Sequence, residues 1–273
     1  MICFPNAKIN LGLHVTGKRS DGYHTIESIF YPIPLTDALE AVNSGKNSFT
    51  QTGIKLAIKA EENIVMKAYA LVSDEFKTPP LNIYLKKAIP SGAGLGGGSA
   101  DGAFMLKLLN DMNELAIPES KLLKLAEFLG ADCPFFIRNT PVIATGTGNL
   151  FQSSDITLKG YCLCVVKPPV SISTKEAYSM VKPKKSPFSL ERLSTIPIYE
   201  WRHVLFNDFE PSVFVKYPVI QKIKEQLYSM GAEYASMSGS GSAVFGLFSK
   251  TEDTPVTFSH QFPDCFVWKG ILE

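Results

Sequence analysis

A glycine-rich segment is the part of this chain that is best suited to bind a ligand. Residues 90–104 read PSGAGLGGGSADGAF, with five glycines between Gly92 and Gly98 and Ser99 directly after them. Glycine lets a backbone come close to a ligand and adopt positive φ angles. A helical pattern follows, and a helix N-terminus presents unpaired N–H groups and a positive dipole end that favour phosphate. The segment therefore predicts a phosphate-binding loop.

Three other interpretations of this segment carry less weight. Five glycines are more than a simple flexible turn requires. Gly92, Gly94 and Gly97 satisfy the G-x-G-x-x-G pattern of dinucleotide-binding folds, but that pattern alone is weak and no further βαβ units follow it. A Walker A loop is excluded because no Lys-Ser/Thr pair follows the glycines. Phosphate binding by a loop of another type is what the residues favour.

The elements around the loop follow from the hydrophobic spacing. Strands are predicted over 8–15, 26–35 and 81–89, with a helix that begins at Asn63 as its N-cap. Further helices are predicted from Pro118 to a cap at Gly130, over 220–230, and along the apolar positions Met105, Leu108, Leu109, Met112 and Leu115. Two short strands flank the sequence SGSG and a third ends the chain, which predicts a helix-backed antiparallel sheet in the C-terminal part.

Four segments, in order along the whole chain, resemble the GHMP kinases. They are PNAKINLGLHVTGKRSDGYH at 5–24, the glycine-rich loop, LGADCPFF at 129–136 and MSGSGSAVFGLF at 237–248. The combination of AKINLGL with DGYH is similar to the branch of the family that acts on a cytidine-diphosphate-linked methylerythritol. Within the loop the chain departs from the family at Gly102, where relatives favour alanine; glycine there weakens a helix by roughly 0.5–1 kcal/mol, and we expect this to be tolerated.

The resemblance implies an α/β (α+β) protein with the two-domain GHMP kinase fold. The N-terminal domain, residues 1–155, would be a nucleotide-binding domain like domain 2 of ribosomal protein S5. The C-terminal domain, residues 156–273, would be a ferredoxin-like α/β sandwich.

The resemblance also implies the reaction, which is transfer of the ATP γ-phosphoryl group, with Mg²⁺, to the 2-hydroxyl of the cytidine-linked substrate. The family feeds the non-mevalonate route to isoprenoid precursors. Asp132 maps onto the general base and Lys8 onto the cation that assists it. From the residues alone, Asp132 is more typical of a turn or helix cap and Lys8 of a solvent-facing strand position.

The remaining site residues are carried over in the same way. The resemblance implies that ATP binds at Asn63, Pro90, Ser91, Gly92, Ala93, Gly94, Leu95, Gly96, Gly97, Gly98, Ser99 and Ala100. Ser99 is either a plain N-cap or also a contact to phosphate or Mg²⁺, and no other protein ligand for the metal is implied. Substrate would contact Asn10, Tyr23, His24, Phe30, Tyr178, Gly239, Ser240 and Gly241, with His24 reading the cytosine edge and Phe30 equally compatible with the core.

Composition sets limits on the partners. The chain has 273 residues, 45% hydrophobic and 19% charged, with a formal net charge of +1. This gives no support to a polyanion-binding or polybasic membrane role, and no apolar run reaches the roughly 20 residues of a membrane span. Five scattered cysteines predict reduced thiols, with Cys162 and Cys164 as core residues. We expect a bacterial cytoplasmic protein, monomeric or weakly dimeric, that binds a small molecule but neither nucleic acid nor membrane.

Two alternatives compete with this function. A kinase of the same superfamily with a non-nucleotide acceptor, such as homoserine or mevalonate, is disfavoured by DGYH and Tyr178. A binding protein that has lost catalysis is disfavoured because Asp132, Lys8 and Ser99 are all present.

Overall fold

The protein is described by a computed structural model over residues 1–56, 58–186, 188–249 and 258–273. Both strands and helices occur along these ranges, which confirms the predicted mixed α/β class. The strands are β1 Ile2–Cys3, β2 Asn6–Lys18, β3 His24–Thr36, β4 Ala38–Asn43, β5 Ser48–Gly53, β6 Leu81–Lys87, β7 Val142–Thr145, β8 Leu150–Ser153, β9 Cys162–Lys167, β10 Tyr234–Met237, β11 Val244–Phe248 and β12 Phe266–Ile271. The helices are α1 Ile64–Phe76, α2 Gly97–Met112, α3 Glu119–Leu129, α4 Cys133–Arg138, α5 Thr174–Met180, α6 Trp201–Val204, α7 Glu210–Lys216 and α8 Pro218–Ser229. None of the helices in the described ranges is long and apolar enough to cross a membrane.

The chain divides into two compact units, each built from separate stretches. The first unit consists of Met1–Ala7, Leu35–Ser91 and Gly96–Thr140. The second consists of Lys8–Pro34, Gly92–Leu95 and Pro141–Glu273. The glycine-rich loop therefore contributes to both units. A division of the continuous chain at 155/156 stays a prediction.

The first unit combines a four-stranded sheet with four helices. Its strand order is β1-β4-β6-β5, and β5 pairs with β6 in parallel while the other pairs are antiparallel. Helices α1 to α4 pack against one another. Asn63 caps α1 as predicted, because its Oδ1 accepts a hydrogen bond of 2.9 Å from the Val65 amide.

Helix α2 differs from its prediction at both ends. It begins at Gly97, with Gly96 at φ +71° as its N-cap, so Ser99 is the third helical residue and not the cap. It ends at Met112, and Leu115 lies outside it because Glu114 and Ala116 adopt positive φ angles that turn the chain away. The apolar spacing continues past the point where the backbone leaves the helix.

The glycine at position 102 has a packing reason that the sequence does not reveal. A Cβ built at Gly102 would lie 2.9 Å from Cγ1 of Ile64, closer than ordinary van der Waals contact allows. The missing side chain lets α1 and α2 approach each other at this point, which offsets the low helix propensity of glycine.

A buried ionic cluster ties down both ends of the glycine-rich loop in this unit. The Lys87 ammonium, at the end of β6, donates to Asp37 and, over 2.6 Å, to Asp101 of α2. Asp37 Oδ1 also accepts hydrogen bonds from the amides of Ala88 and Ile89, which lead into the loop. Because the three side chains are at most 3% exposed, the loop starts and ends at fixed positions.

The second unit contains two four-stranded sheets. One has the order β2-β3-β7-β8, and the other, β10-β11-β9-β12, is antiparallel throughout. Helix α8 packs against β10 and β11, so the predicted helix-backed antiparallel sheet is confirmed. Cys162 and Cys164 lie buried on the same face of β9, as predicted, and all five cysteines of the chain have free thiols.

The cluster generates a prediction about pH. Burial raises the pKa of Asp101 to about 8, an effect that the Lys87 ammonium only partly offsets. Its Oδ1 has no hydrogen-bond partner among the residues that the structure describes. The folded state therefore holds a proton that the unfolded chain releases above about pH 4. Stability from this group is complete below pH 4 and is lost as the pH rises towards 8. Asp101→Asn carries no such proton, so we expect its stability relative to wild type to rise by up to about 1.4 kcal/mol per pH unit between pH 5 and 8.

Urea unfolding of both proteins at pH 5, 6.5 and 8 measures this difference. Asp111→Asn, an exposed carboxylate on the same helix, is the control and should show no such trend. A difference between Asp101→Asn and wild type that stays constant with pH would place the proton elsewhere.

Candidate active site

Lys8 is buried and does not face solvent, which the residues alone had made the more typical position for a lysine in a strand. Residues Asn6 to Val15 of β2 are all buried, and Lys8 is 3% exposed. Its Nζ donates a hydrogen bond to Asn10 Oδ1 and lies 4.7 Å from the centre of the Phe30 ring. The ammonium group is thus held between an amide oxygen and an aromatic face. Phe30 is itself 2% exposed, and its contact with substrate stays a prediction.

Asn10 links Lys8 to the rest of the second unit. Its Nδ2 donates to Ser28 Oγ over 2.9 Å, and Ser28 donates in turn to the Gly12 carbonyl over 2.6 Å. The Asn10 backbone amide donates to Ser238 Oγ over 3.1 Å. The side chain of Asn10 is therefore fixed at both ends, which restricts the position of the Lys8 ammonium.

Two glycine-rich turns pack directly on each other in the second unit. They are residues 92–95 of the loop and residues 238–241, and Ser238 Oγ donates to the Gly94 carbonyl over 2.8 Å. Gly94 has φ +75°, and a Cβ built on it would lie 1.9 Å from the Ser238 carbonyl oxygen. Only glycine meets both conditions. Leu95 O also accepts from the Lys8 amide over 2.9 Å, which ties the first turn to β2.

The turn at 238–241 leaves backbone donors available for a ligand. The Ser238 amide donates to Ala243 O and the Gly241 amide to Ser238 O, both over 2.9 Å. The N–H groups of Gly239 and Ser240 donate to no group in the described ranges of the chain. Gly239 is buried and Ser240 half-buried. Adjacent unpaired N–H groups in a turn with positive φ angles are suited to bind an anion.

An aromatic stack marks a second part of the same unit. The ring of His24 stacks on Tyr178 with centroids 4.9 Å apart and an interplanar angle of 21°. Phe209 meets Tyr178 edge-on, also at 4.9 Å. Tyr23, by contrast, is 67% exposed in the turn before β3. Flat π surfaces of this kind can accept a stacked heterocyclic base.

Asp132 lies in the first unit, at the residue before α4. It is half-buried, and its side chain makes no capping hydrogen bond to that helix, so the capping interpretation does not hold. Its neighbour Cys133 contacts Ser99 of α2: burial raises the pKa of this thiol to about 12, and the Ser99 hydroxyl opposes the shift. Asp132 is thereby placed next to the first turn of the helix that follows the glycine-rich loop.

A pocket of about 340 Å³ lies at the N-terminus of α1 in the first unit. Asn63, the one lining residue that the sequence singled out, is 2% exposed. The other residues of the lining come from β5 and the segment before α1, and they are Phe49, Gln51, Lys55, Leu56, Ile58, Lys59 and Ala60. A pocket whose lining includes both apolar and polar groups can accept a purine base.

The structure groups the predicted site residues by unit. Lys8, Asn10, Gly94 and the turn 238–241 lie together in the second unit, as do His24 and Tyr178. Asn63, Gly96–Ala100 and Asp132 belong to the first unit. Sequence reasoning missed Ser28, whose hydroxyl bonds to Asn10 and Gly12 of β2, and Ser238, whose hydroxyl connects β2 to the glycine-rich loop. Serine in an SGSG turn could have been noticed, but nothing in the sequence marks Ser28.

Family models match both parts of the chain. Residues 63–139 match the model described as GHMP kinases N terminal domain, and residues 198–266 match the one described as GHMP kinases C terminal.

Curated relatives extend this similarity to the full length. A protein of Parabacteroides distasonis named 4-diphosphocytidyl-2-C-methyl-D-erythritol kinase is 58% identical over 274 residues, covering 100% of each chain. A protein of the same name from Bacteroides fragilis is 55% identical, covering 97% of this chain and 98% of the relative.

Solved structures of kinases are also similar to this chain. A crystal structure of 4-(cytidine 5'-diphospho)-2C-methyl-D-erythritol kinase superimposes with a TM-score of 0.77 and 30% identity, covering 90% of each chain. The mevalonate kinase of Methanococcus jannaschii has a TM-score of 0.66 at 14% identity, covering 100% of this chain and 98% of its own, and therefore shares the fold alone.

The close approach of the two turns predicts different costs for two glycine substitutions. Gly92 and Gly94 both have positive φ angles, but a Cβ at Gly92 would meet nothing within 4 Å. We expect Gly92→Ala to cost about 1 kcal/mol of unfolding free energy through backbone strain alone. Gly94→Ala must also push the turns apart, so its cost should reach about 3 kcal/mol or more. Chemical denaturation of the two variants measures the difference, and equal costs would mean that the turns do not pack as described.

Proposed function

Because the chain belongs to the 4-diphosphocytidyl-2-C-methyl-D-erythritol kinase family of the GHMP kinases, we propose that it transfers the γ-phosphoryl group of ATP to the 2-hydroxyl of 4-diphosphocytidyl-2-C-methyl-D-erythritol. It is a small-molecule kinase of a family that uses ATP as co-substrate. The observation that carries the choice of acceptor is the identity of 58% over the whole chain to the Parabacteroides relative. Kinases with other acceptors share the fold at much lower identity. The product would feed the non-mevalonate route to isoprenoid precursors in a bacterial cytoplasm.

The nucleotide binds through groups of the first unit and the glycine-rich loop. The adenine base occupies the pocket beside Asn63, and the triphosphate follows residues 90–100 to the N-terminus of α2. Lys55 and Lys59 at the pocket add positive charge near the nucleotide. Support comes from the positive φ angles of Gly92, Gly94 and Gly96, since a glycine-rich loop before a helix N-terminus is a typical phosphate site.

A magnesium ion fits this arrangement as a partner of the phosphates. The described ranges contain no group of three or more metal-ligating side chains. Mg²⁺ in kinases is typically held by substrate phosphates and water with one or two protein oxygens, and Ser99 offers a hydroxyl at the start of α2. When bound, the ion neutralises charge on the transferring phosphoryl group.

Asp132 and Lys8 carry the proton transfer in this proposal. Phosphoryl transfer to an alcohol needs positioning and a group that accepts the hydroxyl proton. Asp132 is the base, since it lies in the part of the chain that matches the GHMP kinase N-terminal domain, at the position that corresponds to the family's general base. Lys8 supplies fixed positive charge, which stabilises the developing alkoxide.

The acceptor substrate binds to the second unit. The cytosine ring stacks on Tyr178, whose edge contact with Phe209 supports it from behind. His24 reads the base edge after leaving the Tyr178 face that it covers in the structure. The diphosphate lies against the N–H groups of Gly239 and Ser240, close to Gly241, and Asn10 borders the methylerythritol end. Tyr23 and Phe30 complete the predicted set, Tyr23 from its exposed turn.

Phosphorus NMR tests the proposed reaction. Purified protein is incubated with ATP, Mg²⁺ and the cytidine-linked substrate, and parallel samples receive homoserine or mevalonate. We expect ADP and a new phosphomonoester only with the cytidine-linked substrate. Transfer to homoserine or mevalonate instead would assign a different acceptor, and no transfer to any of the three would point to a binding protein.

Replacement of Asp132 tests the base. Asp132→Asn keeps the shape of the side chain but cannot accept the hydroxyl proton, so we expect kcat to fall about 10²- to 10⁴-fold. ATP affinity, measured by titration with a non-hydrolysable analogue, should stay within twofold of wild type. Asp155→Asn, an exposed aspartate, serves as control. A near wild-type kcat for Asp132→Asn would remove Asp132 from the mechanism.

Replacement of His24 tests the base pocket. His24→Ala removes one hydrogen bond to the cytosine edge, a loss of about 1–2 kcal/mol. We therefore expect KM for the cytidine-linked substrate to rise about 5- to 30-fold while KM for ATP stays unchanged. His203→Ala, an exposed histidine on α6, is the control. Equal increases in both KM values would indicate a general effect on folding and not base recognition.

A further inference from the structure

Four consecutive residues, Asn207 to Glu210, are buried although three of them are polar. Asn207 is 2% exposed and Phe209 1%, with Asp208 and Glu210 also buried. Side chains of this kind are rarely buried unless each polar group has a specific partner. The partners of this segment lie at the parts of the second unit that the proposed function assigns to the substrate.

Asn207 binds the turn at 238–241 directly. Its Nδ2 donates two hydrogen bonds of 2.8 Å, one to the Met237 carbonyl and one to the Gly239 carbonyl. Its Oδ1 accepts from the Phe209 amide over 3.0 Å. Both N–H groups of one amide are thus used to hold two carbonyls on either side of Ser238.

Glu210 fixes the strand that leads into the same turn. Its Oε1 accepts from the Met237 amide over 2.8 Å and from Ser236 Oγ over 3.2 Å. Its Oε2 accepts from the Lys224 ammonium of α8 over 2.6 Å. The backbone of Met237 is therefore held at both its N–H, by Glu210, and its C=O, by Asn207.

The orientation of the Gly239 carbonyl determines where the unpaired N–H of Ser240 points. The Gly239 carbonyl belongs to the same peptide plane as the Ser240 N–H, and the two point in opposite directions because the peptide is planar and trans. Asn207 holds the Gly239 carbonyl on the protein side. The Ser240 N–H, which has no partner in the described part of the chain, is consequently directed away from Asn207.

We propose that Asn207 is a positioning residue for phosphate binding: it anchors the turn at the Met237 carbonyl and holds the Gly239 carbonyl so that the backbone N–H of Ser240 faces the diphosphate of the substrate. This rests on the proposed function, which assigns that diphosphate to the turn. Asp208 and Phe209 tie the same segment to β2 and to the aromatic stack, through a 2.9 Å hydrogen bond from the Val15 amide and the edge contact with Tyr178. Asn207 thereby fixes the position of the turn at 238–241 relative to the aromatic stack at Tyr178.

The test separates phosphate binding from base binding. Asn207→Ser keeps an oxygen that can accept from the Phe209 amide but is too short to reach both carbonyls. Calorimetric titration with CDP and with cytidine, which lacks phosphate, reports the two contributions in turn. We expect CDP affinity to fall at least tenfold in Asn207→Ser, with cytidine affinity within twofold of wild type. kcat/KM for the full substrate should fall in parallel with CDP affinity, while ATP affinity is retained.

One control and one alternative variant accompany this test. Asn110→Ser removes a comparable amide, which bonds the N–H and C=O of Ile117 in the first unit, and should leave CDP affinity unchanged. Asn207→Asp, which keeps the acceptor but loses both donors, should reproduce the CDP defect if Asn207→Ser is too unstable to measure.

The outcomes distinguish this inference from the proposed function. If the wild type is active and the Asn207 variants keep its CDP affinity, the role of Asn207 is overturned while the proposed function stands. Equal losses for CDP and cytidine would also overturn it, since they indicate general damage to the unit. A wild type that transfers no phosphate to the cytidine-linked substrate would instead refute the proposed function.

Discussion

The carbonyl oxygen of Ser238 lies so close to Gly94 that a methyl group at position 94 would be only 1.9 Å from it. Two glycine-rich turns from distant parts of the sequence can approach this closely only without side chains, and the hydroxyl of Ser238 joins them by bonding to both the Gly94 carbonyl and the Asn10 amide. Since Lys8 is held by Asn10, the position of the ammonium follows from the same contact. The conformation of the turn at 238–241 and the position of the buried ammonium thus depend on one close approach of two backbone segments.

Burying this many polar groups has a cost that only complete hydrogen bonding offsets. Lys8, Asn10, Ser28 and Asn207 are all at most 3% exposed, and each has at least one partner within the second unit. A network of this kind fixes side chains before a ligand arrives, so the ligand does not have to order them. For phosphoryl transfer, where positioning and fixed charge supply most of the rate enhancement, such preorganisation is the main contribution that a protein can make.

The sequence predicted those features that depend on residue type and regular spacing. The glycine-rich loop was recognisable because only glycine suits its conformation, and most of the long helices and strands followed from their apolar periodicity. Both ends of helix α2 differ from the prediction, because capping depends on backbone angles that residue type does not determine. Gly96 and not Ser99 is the N-cap, and the chain turns away from the helix before Leu115. The pocket beside Asn63 was largely missed since its lining follows no period. Asn207 escaped notice because asparagine is usually exposed, and only tertiary structure shows it buried.

We use NMR as the most direct test of whether the turn at 238–241 presents free backbone N–H groups to the substrate diphosphate. Amide spectra of the ¹⁵N-labelled protein, assigned for this turn, are recorded while CDP is added and, in a separate sample, while cytidine is added. We expect the Gly239 and Ser240 amide protons to shift strongly downfield with CDP and much less with cytidine. Unchanged resonances at both positions, with Tyr178 and its neighbours shifting on saturation with CDP, would contradict it.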